Sequence, residues 1–106
     1  MDGRTILLRL DILLNHDWKK VYNYIDTKNK DVLHKEFDLE YETKLYALLS
    51  EGWKILTMLD DEYPMYLKTQ VKYPPFVVYY KCTLEEIEDK FKALNNYNPS
   101  EGCFLE

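Results

Sequence analysis

The chain has 106 residues and a net charge of −5, and 46% of its residues are hydrophobic and 31% charged. This length is typical of one domain, and the balance of apolar and charged residues excludes a disordered chain. The longest uncharged apolar run, residues 76–80, is too short to cross a membrane, and the early apolar stretch is interrupted by Arg9 and Asp11. We therefore expect a cytoplasmic protein without membrane contact, in which Cys82 and Cys103 stay reduced.

The first part of the chain predicts two helices. Thr5 can cap the first helix, which carries leucines at helical spacing until Asn15 and His16 break it. Asp17 can cap the second helix. Its apolar residues recur at the spacing of one helix face and are predicted to lie inward: Trp18, Val21, Tyr22 and Ile25.

The rest of the chain alternates predicted helices and strands. A third helix over residues 39–50, with the leucines at 45, 48 and 49 inward, is closed by Gly52. Residues 53–59 and 76–80 are predicted strands, separated by the acidic turn 60–62 and a short helix that starts at Pro64. Thr83 and Glu86 match a capping box. The helix that this box opens carries an apolar stripe made of Leu84, Ile87, Phe91 and Leu94.

These elements predict an α+β fold, with the helices of a small single domain packed on a short two-stranded sheet. The connection over residues 60–75 is long enough for a right-handed crossover, so we expect the strands to be parallel. The domain is predicted to cover residues 1–94. Residues 95–106 are predicted to form a polar, loose tail, and we place no weight on Leu105 and Glu106 at its end.

The sequence does not predict an enzyme, a cofactor or a metal site. His16 and His34 have no nucleophile or carboxylate at a motif spacing, and we interpret them as exposed or capping residues. The chain has only three glycines, too few for a glycine-rich phosphate loop.

Residues 44–90 resemble the N-terminal part of the bacterial DNA-processing DprA/Smf family. The shared pattern is a strand, a Tyr-Pro pair, a leucine three residues on, a Pro-Pro step and an apolar strand that ends at a lysine. The matching residues are Tyr63, Pro64, Leu67, Pro74, Pro75, Val78, Tyr79 and Lys81. The pattern departs at Cys82, where the family has glycine, and the family's single-strand-binding Rossmann-like core has no counterpart here. The resemblance therefore implies a related fold fragment and supplies no active-site residue.

The first function that we expect is that of a non-catalytic protein-binding module. A short, acidic relative of a DNA-processing protein would fit a phage or mobile-element accessory or inhibitor of a host nucleic-acid machine, such as an anti-CRISPR.

One predicted surface for such binding is the unpaired edge of the second strand, which would dock a protein partner or form a homodimer. Its residues are Phe76, Val78, Tyr79 and Tyr80. The other is an acidic helix start, which stabilisation of the helix dipole also explains. Its residues are Glu85, Glu86, Glu88 and Asp89.

The alternative function is that of a small accessory protein that binds single-stranded nucleic acid. Aromatic rings stack on bases while lysines meet phosphates, and the second half of the chain interleaves the two. The residues concerned are Tyr66, Lys68, Lys72, Tyr73 and Lys81. Tyrosines packed inward among ordinary surface lysines would give the same pattern. The net charge of −5 counts against nucleic acid as the main ligand.

Overall fold

The computed structural model describes residues 2–94 and 97–106. Five α-helices and three strands lie in these ranges, together with three short 3₁₀ turns. The helices are α1 (Gly3–Leu13), α2 (Trp18–Asp26), α3 (Asp38–Ser50), α4 (Met65–Gln70) and α5 (Ile87–Ala93). The strands are β1 (Lys54–Thr57), β2 (Val77–Tyr80) and β3 (Cys103–Leu105). The 3₁₀ turns are Asp31–Leu33, Lys35–Phe37 and Leu84–Glu86.

The first two helices are set by short polar side chains at their N-termini. Asp2 caps α1 by accepting a hydrogen bond from the Thr5 amide at 2.7 Å, so the prediction that Thr5 is the cap was wrong. Asp17 caps α2 as predicted, accepting from two backbone amides of the first turn. Between the helices, Asn15 and His16 adopt positive φ angles of 58° and 62°, which end α1 where the sequence predicts a break.

Helix α3 ends in a glycine cap. Gly52 has a φ of +92°, the Gly52 amide donates to the Leu49 carbonyl, and the Trp53 amide donates to the Leu48 carbonyl. This is the Schellman arrangement, so the predicted role of Gly52 is confirmed. The inner face of α3 packs through Leu45 and Leu48, whereas Leu49, predicted to lie inward, is half exposed.

The sheet has three strands in the order β1–β2–β3 and is mixed. β1 and β2 are antiparallel, with Lys54 opposite Tyr80 and Thr57 opposite Val77. The prediction of a two-stranded parallel sheet was therefore wrong. The physical reason is that the connection between the strands contains only the six-residue α4, and the chain turns back along β1. The antiparallel pairing extends into this connection, where the Met58 amide donates to the Phe76 carbonyl.

The third strand comes from residues that the sequence analysis places in a loose tail. β3 runs parallel to β2, and Cys103 and Leu105 are almost completely buried. The Leu105 side chain belongs to the core, so this segment is part of the fold. Three residues are too few to show the alternation by which a strand is recognised, which is why β3 was missed.

Both edges of β2 are paired inside the molecule, so the prediction that its edge binds a partner was wrong. Val78, Tyr79 and Tyr80 are buried, and Phe76 is half-buried against α2. The uncharged character of this segment has a different origin, since helices cover both faces of the sheet. One face meets α4 and α5 through a core of Leu56, Leu67, Val78, Tyr80, Ile87, Phe91, Cys103 and Leu105. The other meets α1 and α3 through Leu8, Ile12, Leu45, Leu48, Val77, Tyr79 and Phe104.

The last helix starts at Thr83 in a different way from the predicted capping box. The Thr83 hydroxyl donates to the Glu86 carboxylate at 3.0 Å, a contact between two side chains, and a 3₁₀ turn precedes α5. Ile87 and Phe91 are buried as predicted, while Leu84 and Leu94 remain partly exposed.

Buried Arg9, on α1, holds the segment between α2 and α3 in place through hydrogen bonds. Its guanidinium donates to the carbonyls of Val32 and His34, both at 2.8 Å, and to the carboxylate of Asp38 at 2.7 Å. The positive charge of the guanidinium is therefore compensated by these oxygen atoms and by the face of the Tyr41 ring, whose centre is 5.4 Å away.

Candidate nucleic-acid interface

An aromatic stack centred on Trp18 joins α2 to the loop before β2. The indole stacks on two nearly parallel rings, Tyr22 at 5.0 Å and Phe76 at 5.4 Å, with interplanar angles of 4° and 13°. Tyr73 meets the same indole edge-on at 5.0 Å. The outer rings remain accessible, since Tyr22 is 50% exposed and Tyr73 is 39% exposed.

Two hydrogen bonds fix the position of Trp18. The indole Nε1–H donates to the Pro74 carbonyl at 2.9 Å, and the Trp18 backbone amide donates to the Pro99 carbonyl at 2.6 Å. Helix α2, the loop before β2 and the segment before β3 therefore meet at this residue. The stack is held on three sides, which makes it a preformed surface.

Beside the stack lies an open groove of about 570 Å³. Its floor is apolar, with Phe91 and Val71, and the rings of Tyr73 and Tyr97 stand beside it. Polar groups and two lysines complete the lining: Lys19, Gln70, Lys72, Asn98 and Ser100. The Lys72 ammonium lies 5.4 Å from the centre of the Tyr73 ring, so a cation and an aromatic face are already adjacent.

The structure brings together two of the five residues predicted to bind nucleic acid. Lys72 and Tyr73 line the groove. Tyr66 is half-buried under Lys92, and Lys68 lies over the ring of Tyr63. Lys81 lies at the end of β2, with its ammonium 4.3 Å from the centre of the Trp53 ring, and it does not line the groove.

Sequence reasoning missed four residues of this surface. The sequence predicts that Trp18 and Tyr22 lie on the buried face of α2, and it gives no signal for Lys19. Tyr97 was assigned to the loose tail, yet its ring packs 5.0 Å from Phe91. The sequence of α2 contains a signal for this exposure. The nine-residue helix carries four large aromatic or aliphatic side chains beside Val21, which is more apolar surface than one face of so short a helix can bury.

The predicted acidic surface is exposed at the start of the last helix. Glu85, Glu86 and Asp89 face solvent, whereas Glu88 is half-buried and bonds Lys92 at 3.0 Å. The acidic turn at residues 60–62 is different, since Asp60 bonds Arg4 at 2.9 Å and accepts from the Thr57 amide. Within residues 2–94 and 97–106, no group of three or more His, Cys, Asp or Glu side chains could hold a metal ion.

A buried polar network links the end of α1 to β2. The hydroxyl of Tyr79 donates to Asp11 Oδ2 at 2.6 Å, and His16 Nδ1 lies 2.6 Å from the same oxygen. The His16 ring meets Tyr79 and Phe104 edge-on, so the interpretation of His16 as an exposed or capping residue was wrong. Burial raises the pKa of Tyr79 far above the ordinary tyrosine value, and Asp11 raises it further, so this hydroxyl remains a donor.

The geometry around this network favours a structural role. Cys103 lines the same small cavity as Asp11 and His16, but the cavity volume is about 10 Å³, enough for one water molecule. Burial and the nearby Asp11 raise the pKa of the Cys103 thiol to about 12, which keeps it in the unreactive protonated form.

Comparison with known proteins returned no match among family models, curated proteins or solved structures. The resemblance of residues 44–90 to the DprA/Smf family therefore stays a prediction from the residues. Among the helices in the described part of the chain, none is long and apolar enough to span a membrane.

Proposed function

We propose that this chain is a non-catalytic binding protein that holds a single-stranded nucleic acid in the groove beside Trp18. The observation that carries the proposal is the adjacency of a three-ring aromatic stack, a groove with an apolar floor and two lysines. Proteins that bind single strands combine these parts, because every base has a face that can stack and every nucleotide brings a phosphate.

Each part of the groove has a counterpart in a nucleotide. The exposed rings of Tyr22 and Tyr73 offer faces on which bases can stack. Lys19 and Lys72 lie where they can neutralise phosphates between stacked bases. The side-chain amides of Gln70 and Asn98 carry both donors and acceptors for the edge of a base. Double-stranded DNA does not fit this arrangement, since its bases are already stacked on each other.

The acidic net charge limits the electrostatic share of the affinity. With the two groove lysines engaged, the salt slope for a single strand is about −1.4, so raising salt from about 50 to about 200 mM should weaken binding roughly sevenfold. A chain with a net charge of −5 would repel a strand elsewhere on its surface, which confines binding to the groove.

The proposal predicts that ring and charge substitutions in the groove act separately. Tyr73→Ala should weaken binding of a labelled oligo-dT or oligo-U by about 1–3 kcal/mol at any salt concentration, because it removes a stacking face. Lys19→Glu combined with Lys72→Glu should abolish binding. Fluorescence anisotropy at low salt measures both effects.

The matched control for the charge reversal is Lys30→Glu with Lys35→Glu, which changes the net charge equally at exposed positions outside the groove. This control should retain most of the binding. Absence of an anisotropy change with wild-type protein at about 100 µM and low salt would rule out the proposal, as would equal losses in the groove variant and the control.

A second candidate is the binding of a basic protein surface, favoured by the three exposed carboxylates of Glu85, Glu86 and Asp89. Such a surface on an acidic chain would suit the basic channel of a nucleic-acid machine, as an inhibitor carried by a phage or mobile element would require. Any partner recovered from bacterial lysate should be lost with Glu85→Lys and Asp89→Lys. It should be retained with the control Glu36→Lys and Glu101→Lys, and equal recovery by both variants would exclude this face.

A further inference from the structure

Helix α3 carries apolar side chains on two faces, and only one of them is covered. Tyr41, Leu45 and Leu48 pack against α1 and the sheet. On the outer face Leu39 is 76% exposed, Tyr46 74% and Leu49 52%. A surface helix normally presents polar residues to solvent, so an apolar outer face indicates an unfilled contact.

The spacing of the outer residues is that of a coiled-coil seam. Leu39, Glu42, Tyr46 and Leu49 follow one another at intervals of three, four and three residues, the a-d-a-d pattern of two consecutive heptads. The stripe is about 15 Å long, given the helical rise of 1.5 Å per residue. The neighbouring Thr43 and Ser50 are exposed and uncharged, so the flank that they form offers no charge to repel a second helix.

The pattern is complementary to itself when two copies of α3 run antiparallel. A two-fold axis at the level of residue 44 places Leu39 opposite Leu49 of the other copy and Glu42 opposite Tyr46. The phenol hydroxyl can then donate to the carboxylate that would otherwise lie unpaired in the seam. A parallel pair would instead place the two Glu42 side chains against each other, which like-charge repulsion disfavours.

We propose that α3 is the interface of an antiparallel homodimer, with Leu39, Glu42, Tyr46 and Leu49 as its seam. None of these residues lines the groove beside Trp18, so the dimer does not depend on the proposed function. The seam has four layers and one carboxylate per copy, which makes the contact small and polar. We therefore expect a weak dimer, with a dissociation constant on the order of 10⁻⁵ to 10⁻⁴ M.

Sedimentation equilibrium of the full chain across a dilution series tests the interface. Tyr46→Glu should weaken the dimer at least tenfold, since it sets two carboxylates opposite each other, while Glu42→Leu should strengthen it at least tenfold by completing the apolar seam. Met65→Glu is the matched control, because Met65 is 68% exposed on α4 and lies outside the seam; it should leave the equilibrium unchanged. A wild-type monomer at about 1 mM would overturn the proposal.

Engineered cysteines test the orientation, since the native Cys82 and Cys103 are buried and do not compete. A mixture of Leu39→Cys and Leu49→Cys chains should form a mixed disulfide on mild oxidation. Neither variant should cross-link alone, because the axis at residue 44 separates equal positions by about 15 Å along the helix. Cross-linking of each variant with itself and not with the other would show a parallel pair and overturn the antiparallel assignment.

Discussion

At the scale of single residues, the buried polar side chains are satisfied by partners that lie far away in sequence. Asp11 accepts from Tyr79, and Arg9 donates to the segment before α3. In the sequence both appear only as charges that interrupt an apolar stretch. Each is tolerated because hydrogen bonds replace the water that it loses on burial, so their removal should be costly.

The network of Asp11, His16 and Tyr79 gives a direct test at this scale. Tyr79→Phe keeps the ring in the core but removes the donor to Asp11, leaving a buried carboxylate with one partner fewer. We expect a loss of about 1.5–3 kcal/mol in the free energy of unfolding, the usual value for a hydrogen bond to a charged group. Urea unfolding followed by far-ultraviolet circular dichroism measures it.

The control for this substitution is Tyr22→Phe, which removes a hydroxyl from a half-exposed ring. Its effect should stay within about 0.5 kcal/mol, as for most surface changes. If both variants lost equal stability, the buried hydroxyl of Tyr79 would contribute no more to the fold than an exposed one, and the network would have to be discarded as a stabilising feature.

At the scale of elements, capping residues and the local spacing of apolar residues were enough to predict the helices. They did not predict how the strands pair. Asp17 and Gly52 act within one turn of their own helix, so a short window contains their whole signal. Strand direction depends on where the chain goes between β1 and β2, which no local pattern encodes. β3 was missed for a related reason, since its burial comes from neighbours on β2 and α5.

The candidate interface, like the fold, could be predicted only where its residues are neighbours in sequence. Lys72 and Tyr73 are neighbours in sequence, so interleaving of lysine and tyrosine was enough to find them. Lys19 and Tyr97 reach the groove from α2 and from the segment before β3, whose meeting at Trp18 is a tertiary contact. The predicted strand-edge surface failed because exposure was inferred for β2 without knowledge of its second neighbour.

At the scale of the whole molecule, five of the ten tyrosines illustrate two uses of this side chain. Tyr22, Tyr46 and Tyr73 expose large parts of their rings and supply the surfaces proposed for binding and dimerisation. Tyr63 and Tyr79 are buried and donate hydrogen bonds to Pro75 and Asp11, respectively. A phenol serves both purposes, because its ring is apolar and its hydroxyl is satisfied by one partner.

The tyrosines and the cysteine that pack in or against the core make the fold sensitive to alkaline pH. Burial is the main cause that raises the pKa of Tyr63, Tyr79 and Tyr97 above the ordinary value of 10.0. Burial likewise raises the pKa of Cys103 from 9.0 to about 12. The folded chain therefore keeps protons that the unfolded chain releases, so these groups contribute their full stability below about pH 9 and lose it as the pH rises.

We expect a cooperative alkaline unfolding transition, in which tyrosinate absorbance rises together with the loss of helical circular dichroism. One such group costs about 1.4 kcal/mol per pH unit above its unfolded pKa, so the three tyrosines and Cys103 together reduce stability by about 7 kcal/mol by about pH 11. Tyr97→Phe, which removes one of these acids and keeps its ring, should move the midpoint to higher pH, while Tyr22→Phe should leave it in place. Complete tyrosine ionisation before any loss of helix would contradict the coupling, because it would mean that the core tyrosines ionise inside an intact fold.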